Sequence, residues 1–315
     1  MHPPEVFAAP MSLHQDQSKL IVFCGKGGVG KTTISLAFAL SQANRGRKVV
    51  VVTSHPLKEL ALSISLDGLK EQHERAAANL FVTYLSPQDI LQQRVLETIP
   101  SALLGRAVTS SRIYKSLIEV APGLKEIAFL NRLTQMARER TQGGDAPKFD
   151  LLVWDAPATG HFLQTLKVSR NFHAYLPGPL SALGADLADF FSDASRLVLF
   201  AITILEEMAV EETHDLCGSL IHDVEVQPAG IICNMVSPWI AAHRLAADGQ
   251  EPGRPPESLR LLWDRFRVER SFLERLATPA SGEMRMVERI PESEPSVNFL
   301  FEISRQLASL GGLDS

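Results

Sequence analysis

Apolar residues along this chain fall into short continuous runs, which are separated by longer stretches with apolar positions at helical spacing. The runs are rich in Val, Ile, Leu and Phe, which is typical of strands buried on both faces of a sheet. Strands that alternate with helices predict an α/β fold, a mostly parallel twisted sheet with helices on both faces. The predicted strands cover residues 20–24, 48–53, 80–85, 149–155, 197–204, 229–233 and 284–290.

Domain organisation follows from the places where the strand pattern is interrupted. Residues 1–19 are rich in proline and polar side chains and lack the apolar stretch of a signal peptide, so we expect a disordered N-terminal tail. Residues 20–315 are expected to form a single domain. Two stretches within it, near 87–147 and 162–195, have helical spacing and little β character, which predicts a helical subdomain inserted around the core.

Composition argues against two broad classes of protein. The 315-residue chain has a net charge of −5, which disfavours broad nucleic-acid binding through a basic surface. Its longest apolar stretch, residues 197–205, is well short of the roughly 18–20 residues that span a bilayer, so no integral membrane segment is expected.

Three cysteines are present, at positions 24, 217 and 233, and they form no C-x-x-C pair. Cys24 and Cys233 fall within apolar strand-like runs, which predicts buried and inert thiols. This use of cysteine is typical of a reducing compartment, so we expect a cytoplasmic protein.

The most informative segment lies where the first strand ends. Gly25-x4-Gly30-Lys31-Thr32 follows an apolar run and opens into a helical pattern, which is the context of a phosphate-binding loop. Glycines let main-chain N–H groups turn inward around a polyphosphate, and the helix N-terminus adds a field that favours anions. In such a loop Lys31 reaches the β- and γ-phosphates and the Thr32 hydroxyl is a Mg2+ ligand. The residues expected to bind ATP are Gly25, Lys26, Gly27, Gly28, Val29, Gly30, Lys31, Thr32 and Thr33.

Lys26 follows the first glycine of the loop, where most phosphate loops accept any residue. With this second lysine, residues 25–32 resemble the deviant Walker A loop of the clade that includes partitioning ATPases, the nitrogenase iron protein and the arsenite and tail-anchored-protein targeting ATPases. The resemblance implies that Lys26 reaches across a dimer interface to the phosphates of the partner. The alternative is a solvated loop lysine that only adds positive charge.

Asp155 ends another buried strand and is followed by Ala156-Pro157-Ala158-Thr159-Gly160-His161. A carboxylate at the end of a strand beside the phosphate loop can hold Mg2+ or its water ligands, so Thr32 and Asp155 are the expected metal-side residues. The turn that follows can respond to the γ-phosphate. The alternative is that Asp155 caps a helix.

Residues 155–161 also resemble the switch II motif D-T-A-P-T-G-H of the arsenite-pump and tail-anchored-protein targeting ATPases. Three further stretches are similar to that family in the same order, which extends the resemblance over nearly the whole chain beyond residue 19. The resemblance implies a P-loop NTPase fold, ATP and Mg2+ as cofactors, ATP hydrolysis, and an adenine contact at Asn234. The three stretches are residues 121–126, 204–213 and 231–236.

The main departure from the family concerns catalysis. Its switch I reads D-P-A-H after strand two, and the Asp positions the attacking water; here the stretch is Thr53-Ser54-His55-Pro56, so His55 takes the place of the carboxylate. Imidazole accepts a proton near neutral pH but does not supply the same negative charge. We assign Lys26, Lys31, Asp155 and His55 as the candidate catalytic residues and expect slow turnover or none.

Other departures bear on partners. The stretch between His161 and residue 197 is short for a groove that binds a transmembrane helix, which disfavours tail-anchored clients, and the zinc-linking C-x-x-C is missing. One phosphate loop and separated cysteines disfavour activation by arsenite. The expected function is a cytoplasmic Mg-ATP-dependent dimeric switch, as a homodimer or as a heterodimer with a related ATPase, acting on a protein client that the sequence does not name. The competing expectation is a degenerate ATP-binding regulatory or scaffold subunit that hydrolyses little.

Overall fold

The structure is a computed structural model that describes residues 19–53, 56, 74–77, 79–98, 123–141, 143–175, 179–238, 240, 257–277, 282–290 and 297–307. Strands and helices alternate along these residues, as the sequence pattern predicts. The strands are β1 Lys19–Gly25, β2 Val49–Thr53, β3 Glu74–Ala77, β4 Leu80–Tyr84, β5 Leu151–Asp155, β6 Leu197–Ile204, β7 Gly230–Val236 and β8 Glu283–Glu288. The helices are α1 Lys31–Asn44, α2 Pro87–Thr98, α3 Leu124–Arg138, α4 Thr159–Tyr175, α5 Pro179–Ser192, α6 Glu207–Asp223, α7 Arg260–Leu276 and α8 Val297–Gln306, with a short 3-10 turn at Glu257–Leu259.

The strands form one sheet in the order β3-β4-β2-β5-β1-β6-β7-β8. All pairings are parallel except that of β3 with β4. β1 lies at the centre, and the chain leaves it first toward β2 on one side and later toward β6 on the other. Ligands of open α/β sheets bind outside the carboxyl ends of the strands at such a change of direction. The fold is that of an α/β P-loop NTPase, as the sequence predicts.

Helices cover both faces of the sheet. Alternate residues of β1 point to opposite faces, so that Leu20 and Val22 pack in one core while Ile21 and Phe23 pack in the other. The first core is closed by α3, α4, α5, α6 and α7, and the second mainly by α1 and α8. Because every central strand is buried on both sides, its sequence is a continuous apolar run rather than an alternating one.

Most strand boundaries differ from the predicted ones by one or two residues. β6 spans Leu197–Ile204 as predicted, and β1 starts one residue earlier than expected, at the buried Lys19. β7 is longer than predicted and runs to Val236. The sequence did not predict β3, since Glu-Arg-Ala-Ala has no strand-like apolar run and becomes a strand only by antiparallel pairing with β4.

The two predicted helical stretches contain helices where the structure describes them. α2 and α3 lie within residues 87–147 and contact each other, with Arg94 donating a hydrogen bond to Gln135. α4 and α5 occupy most of residues 162–195. In the described part of the chain, no helix is both long enough and apolar enough to cross a membrane.

The strand register brings five strand ends to the same edge of the sheet. Gly25 of β1 is level with Ile202 of β6, and Phe23 is level with Asp155 of β5. Thr53 of β2 is also level with Asp155. Across the sheet, Asn234 of β7 is level with Ile204 at the end of β6. These residues bound the candidate site.

Candidate functional site

The loop between β1 and α1 has a conformation that its glycines make accessible. Gly25 and Gly30 have φ angles of 145° and 90°, which side-chain-bearing residues rarely adopt. A Cβ at Gly25 would lie 2.2 Å from the carbonyl oxygen of Ile202, and one at Gly30 would lie 2.4 Å from Nδ2 of Asn234. Both positions therefore require glycine, for backbone conformation and for space.

The opposite side of the loop is open. A Cβ added at Gly27 or Gly28 would meet no atom of the described part of the chain within 4 Å, and both residues are exposed. Val29 points inward and is 1% exposed, so it can offer a ligand only its main chain. α1 begins at Lys31 with no side-chain cap and no acidic residue in its first turn. The open loop and the uncapped helix N-terminus fit a bound polyphosphate.

Lys31 is held inside the loop. Its Nζ donates a 2.8 Å hydrogen bond to the main-chain oxygen of Lys26. Burial lowers the pKa of Lys31, while the charges of Asp155 and Glu212 act in the opposite direction. A partly desolvated ammonium group at the mouth of an open loop is well placed to pair with phosphate oxygens.

Asp155 accepts hydrogen bonds from hydroxyl groups on two other elements. Oγ1 of Thr32 donates to Oδ2 of Asp155 over 2.7 Å. Two longer contacts of 3.5 Å join Oγ1 of Thr53 to Oδ2 and Oγ of Ser35 to Oδ1. The carboxylate is buried, with 2% of the residue exposed. These contacts link the phosphate loop to β5 and β2. If Asp155 only capped a helix, its carboxylate would instead accept from main-chain N–H groups at the start of that helix.

The donor set around Asp155 fits Mg2+ bound to a nucleotide. A hydroxyl and a carboxylate are the hard oxygen ligands that Mg2+ takes, with phosphate oxygens and water completing its shell. No group of three or more His, Cys, Asp or Glu side chains gathers as a metal site within the described residues. Thr32 and Asp155 therefore suit a Mg2+ ion that binds together with a nucleotide better than a metal ion held by protein side chains alone.

Lys26 forms an ion pair within its own chain. Its Nζ lies 3.5 Å from Oε2 of Glu212 on α6, and the two side chains are 28% and 37% exposed. The cation therefore stays at the mouth of the loop rather than extending freely into solvent. A role for Lys26 across a dimer interface requires this pair to open or to be shared.

The side chain of Asn234, on β7, contacts the main chain of the phosphate loop. Its Nδ2 donates a 2.9 Å hydrogen bond to the main-chain oxygen of Val29, and the residue is 4% exposed. A main-chain oxygen can only accept, so this contact fixes the orientation of the amide and leaves Oδ1 as its remaining acceptor. The resemblance assigned Asn234 to adenine; the structure adds a loop-bracing contact that the sequence did not predict.

The segment after Asp155 connects the site to α4. The N–H of Ala156 donates to the oxygen of Phe23, which keeps the turn against β1. Thr159, the first residue of α4, is 7% exposed, and its hydroxyl has no hydrogen-bond partner among the described residues. Trp154 packs against Phe129 of α3 and Phe162 of α4. A shift at Asp155 would therefore reach two helices through direct contacts.

The structure brings most of the predicted site residues to one end of the sheet. Thr33 lies half-buried in the first turn of α1. His55 lies outside the described residues, so the predicted role of His55 is untested. Sequence reasoning missed Ser35, Thr53 and Glu212 as neighbours of the site. Ser35 is one helical turn after Lys31, a spacing that could have suggested it.

Cys24 and Cys233 are buried as predicted, and so is Cys217, for which the sequence made no prediction of burial. Among the described residues no disulfide involves Cys24, Cys217 or Cys233, and all three side chains are buried. Burial raises the pKa of Cys217 to about 11 and raises that of Cys24 well above its ordinary value. These thiols are therefore poor nucleophiles and poor soft-metal ligands in the folded protein.

Comparison with known proteins identifies the family. The family model described as anion-transporting ATPase matches residues 18–183, which include the phosphate loop and the switch II segment. The chain belongs to the anion-transporting ATPase family. This confirms the resemblance drawn from the motifs.

Members of this family share moderate identity with the chain. An arsenical pump-driving ATPase of Escherichia coli is 30% identical over 230 residues, which cover 70% of this chain and 35% of that protein. A putative arsenical pump-driving ATPase 2 of Aquifex aeolicus is 25% identical over 70% of this chain and 81% of its own length. The ATPase BagA of Mycobacterium tuberculosis is 25% identical over 229 residues, which cover 69% of this chain and 64% of that protein. The alignment thus spans about a third of the first relative and most of the second.

Proposed function

We propose that this anion-transporting ATPase family member is a cytoplasmic Mg-ATP-binding dimeric switch that hydrolyses ATP slowly to drive association with and release from a protein partner. The observation that carries the proposal is the contact between Thr32 and Asp155. It joins the open phosphate loop to the strand end that leads into α4, so one bound ligand could act on both. The family relationship supports ATPase chemistry.

Each part of the loop has a role toward the phosphates. The N–H groups of residues 27–32 would line the polyphosphate, and Lys31 would exchange its contact with the oxygen of Lys26 for phosphate oxygens. Thr32 and Asp155 would hold Mg2+ and its water ligands. Bound Mg2+ would supply charge neutralisation for the β- and γ-phosphates.

Recognition of the base is proposed for Asn234. One N–H of its Nδ2 is used by Val29, and we propose that its oxygen, which makes no part of that bond, accepts from the base. An acceptor selects the 6-amino group of adenine over the 6-oxo group of guanine, since the latter would place two acceptors against each other. This supports ATP rather than GTP as the nucleotide.

A protein partner is the proposed client, in contrast to the arsenical pumping in the names of two relatives. All three cysteines are buried, and Cys24 and Cys233 sit in different strands. Soft metalloids require accessible thiolates, which these residues do not offer. Dimerisation is proposed through Lys26, which already lies at the mouth of the loop beside Glu212.

A second candidate function is that of a degenerate ATP-binding subunit that regulates a partner. Such a subunit would hydrolyse little ATP and would pair with an active paralogue. His55 in place of the switch I carboxylate favours it. The discriminating experiment measures ATP affinity and ATP turnover on the same preparation. Slow turnover lost in Lys31→Ala supports the switch. Tight binding with turnover no higher than in Lys31→Ala supports the degenerate subunit, and failure to bind ATP contradicts both.

A further inference from the structure

Glu269 on α7 is a buried carboxylate outside the phosphate loop. Its side chain is only 6% exposed, whereas Glu274, five residues later on the same helix, is 66% exposed. Burying a charged carboxylate is unfavourable unless its oxygens are hydrogen-bonded. The partners of Glu269 therefore explain why this position is acidic.

Both carboxylate oxygens of Glu269 have partners. Nε of Arg265 donates to Oε1 over 2.8 Å, which is an ordinary pair one helical turn apart. The main-chain N–H of Ser237 donates to Oε2 over 3.1 Å. The second contact is the unusual one, because it ties α7 to the chain just beyond β7.

Ser237 closes a segment that also carries the loop-bracing amide. Asn234 lies three residues earlier and contacts Val29 through its side chain. Between them the ladder with β8 is irregular, and Met235 has a φ of 55°. Val236 accepts a hydrogen bond from the N–H of Arg289, over 2.8 Å. Since regular strand pairing ends here, the segment depends on individual tethers for its position.

The contacts thus run in sequence from α7 to the phosphate loop. Glu269 accepts a hydrogen bond from the N–H of Ser237, and Asn234 donates one to the oxygen of Val29. The short segment Asn234–Ser237 connects these two contacts. The fit at the last contact is tight, because Gly30 has no room for a Cβ beside the Asn234 amide. A displacement of the segment would therefore alter the loop itself.

We propose that Glu269 is a positioning residue for the nucleotide site, which it serves by fixing the Asn234–Ser237 segment against the phosphate loop. The inference rests on the proposed ATP site. It differs from a purely structural role, in which Glu269 would only fasten α7 to the sheet. A structural role would change thermal stability without changing the phosphate loop.

The test compares two replacements of similar size. Glu269→Gln keeps one oxygen for the Ser237 N–H and turns its NH2 toward Arg265, whose half-exposed side chain is free to rotate into solvent. Glu269→Met keeps the length of the side chain but has no acceptor for the Ser237 N–H. Glu274→Met is the matched control, since Glu274 also accepts a hydrogen bond from an arginine four residues earlier, at 3.0 Å, but is exposed. Each full-length variant is examined by thermal melting, ATP titration and hydrogen exchange of the loop peptide without nucleotide.

We expect Glu269→Met to weaken ATP binding by about five- to tenfold and to speed exchange of the amides in residues 25–33, with Glu269→Gln and Glu274→Met close to the parent. Parent-like loop exchange in Glu269→Met, at any melting temperature, would overturn the inference. Equal effects of Gln and Met would also overturn it, because the acceptor would then be irrelevant. If the parent binds no ATP, the proposed function fails, and the exchange measurement still decides whether Glu269 positions the loop.

Discussion

The Thr32 hydroxyl donates a 2.7 Å hydrogen bond to the carboxylate of Asp155, although the two residues lie 123 positions apart in the chain. The bond connects the start of α1 with the end of β5, and it brings together the two groups that we propose as the Mg2+ side of the nucleotide site. The two residues belong to different motifs of the sequence. Their contact is the structural basis for treating those motifs as one site.

Asp155→Asn should weaken the dependence of ATP binding on Mg2+. The amide retains an acceptor for Thr32, so the fold should be preserved, but it loses the negative charge that attracts the metal. We expect the gain in ATP affinity on adding Mg2+ to fall by about tenfold. Titrations with and without Mg2+ measure this gain, and Asp145→Asn, in an exposed turn, is the control. Equal Mg2+ dependence in the variant and the parent would exclude Asp155 from the metal side.

Substitutions at Lys26 and Glu212 should change ATP-dependent dimerisation in opposite directions. Lys26→Ala removes the cation proposed to reach the partner, and Glu212→Gln removes the carboxylate that holds it in its own chain. Sedimentation with ATP should show a shift toward monomer in the first variant and toward dimer in the second. Lys167→Ala, which breaks a surface ion pair with Asp223, should behave like the parent.

Two results would contradict this assignment of Lys26. A dimer that is equally stable in Lys26→Ala and in the parent would show that the lysine does not bridge protomers. A parent that remains monomeric with ATP at high concentration would exclude the homodimer and direct the search toward a heterodimer with a related ATPase.

His55→Asp should raise ATP turnover. A carboxylate orients the attacking water more strongly than a neutral imidazole does, and a protonated imidazole would repel Mg2+. With the loop and Asp155 unchanged, we expect an increase of about tenfold, measured as steady-state phosphate release, with His55→Ala showing no increase. A large fall in turnover on His55→Asp would instead make the imidazole an active participant.

The buried thiols should make the protein less stable at alkaline pH. The pKa of Cys217 rises from an ordinary value of 9.0 to about 11 in the folded state. Between these values the folded protein binds more protons than the unfolded one, so the free energy of unfolding falls as pH rises. Urea denaturation from pH 8 to pH 11 should show a smaller decline for Cys217→Ala than for the parent. Parallel declines would contradict the shift.

Much of the fold could be predicted because the central strands are buried on both faces. β6 begins directly after Arg196 and ends one residue before the apolar run does, at Leu205, so both its ends were visible in the sequence to within one residue. β3 was not visible, because it owes its conformation to pairing with β4. Its polar residues could equally well have formed a loop.

The sequence predicted those parts of the candidate site that consist of local motifs. The phosphate loop and Asp155 carry their chemistry in a few consecutive residues, and strand order alone places them together. The Lys26–Glu212 pair and the support of Val29 by Asn234 join residues more than 180 positions apart. Such contacts depend on how α6 and β7 pack, which no local pattern encodes.

The most direct test of the account is an isothermal titration of the protein and its Lys31→Ala variant with Mg-ATP, supported by circular dichroism to show that both are folded. Lys31 lies in the loop whose other side is open at Gly27 and Gly28, and its partly desolvated ammonium group is the charge proposed to pair with the β- and γ-phosphates. We predict micromolar binding by the parent and a loss of at least about a hundredfold in the variant. Micromolar ATP affinity retained by folded Lys31→Ala would contradict the central claim that this loop is the nucleotide site.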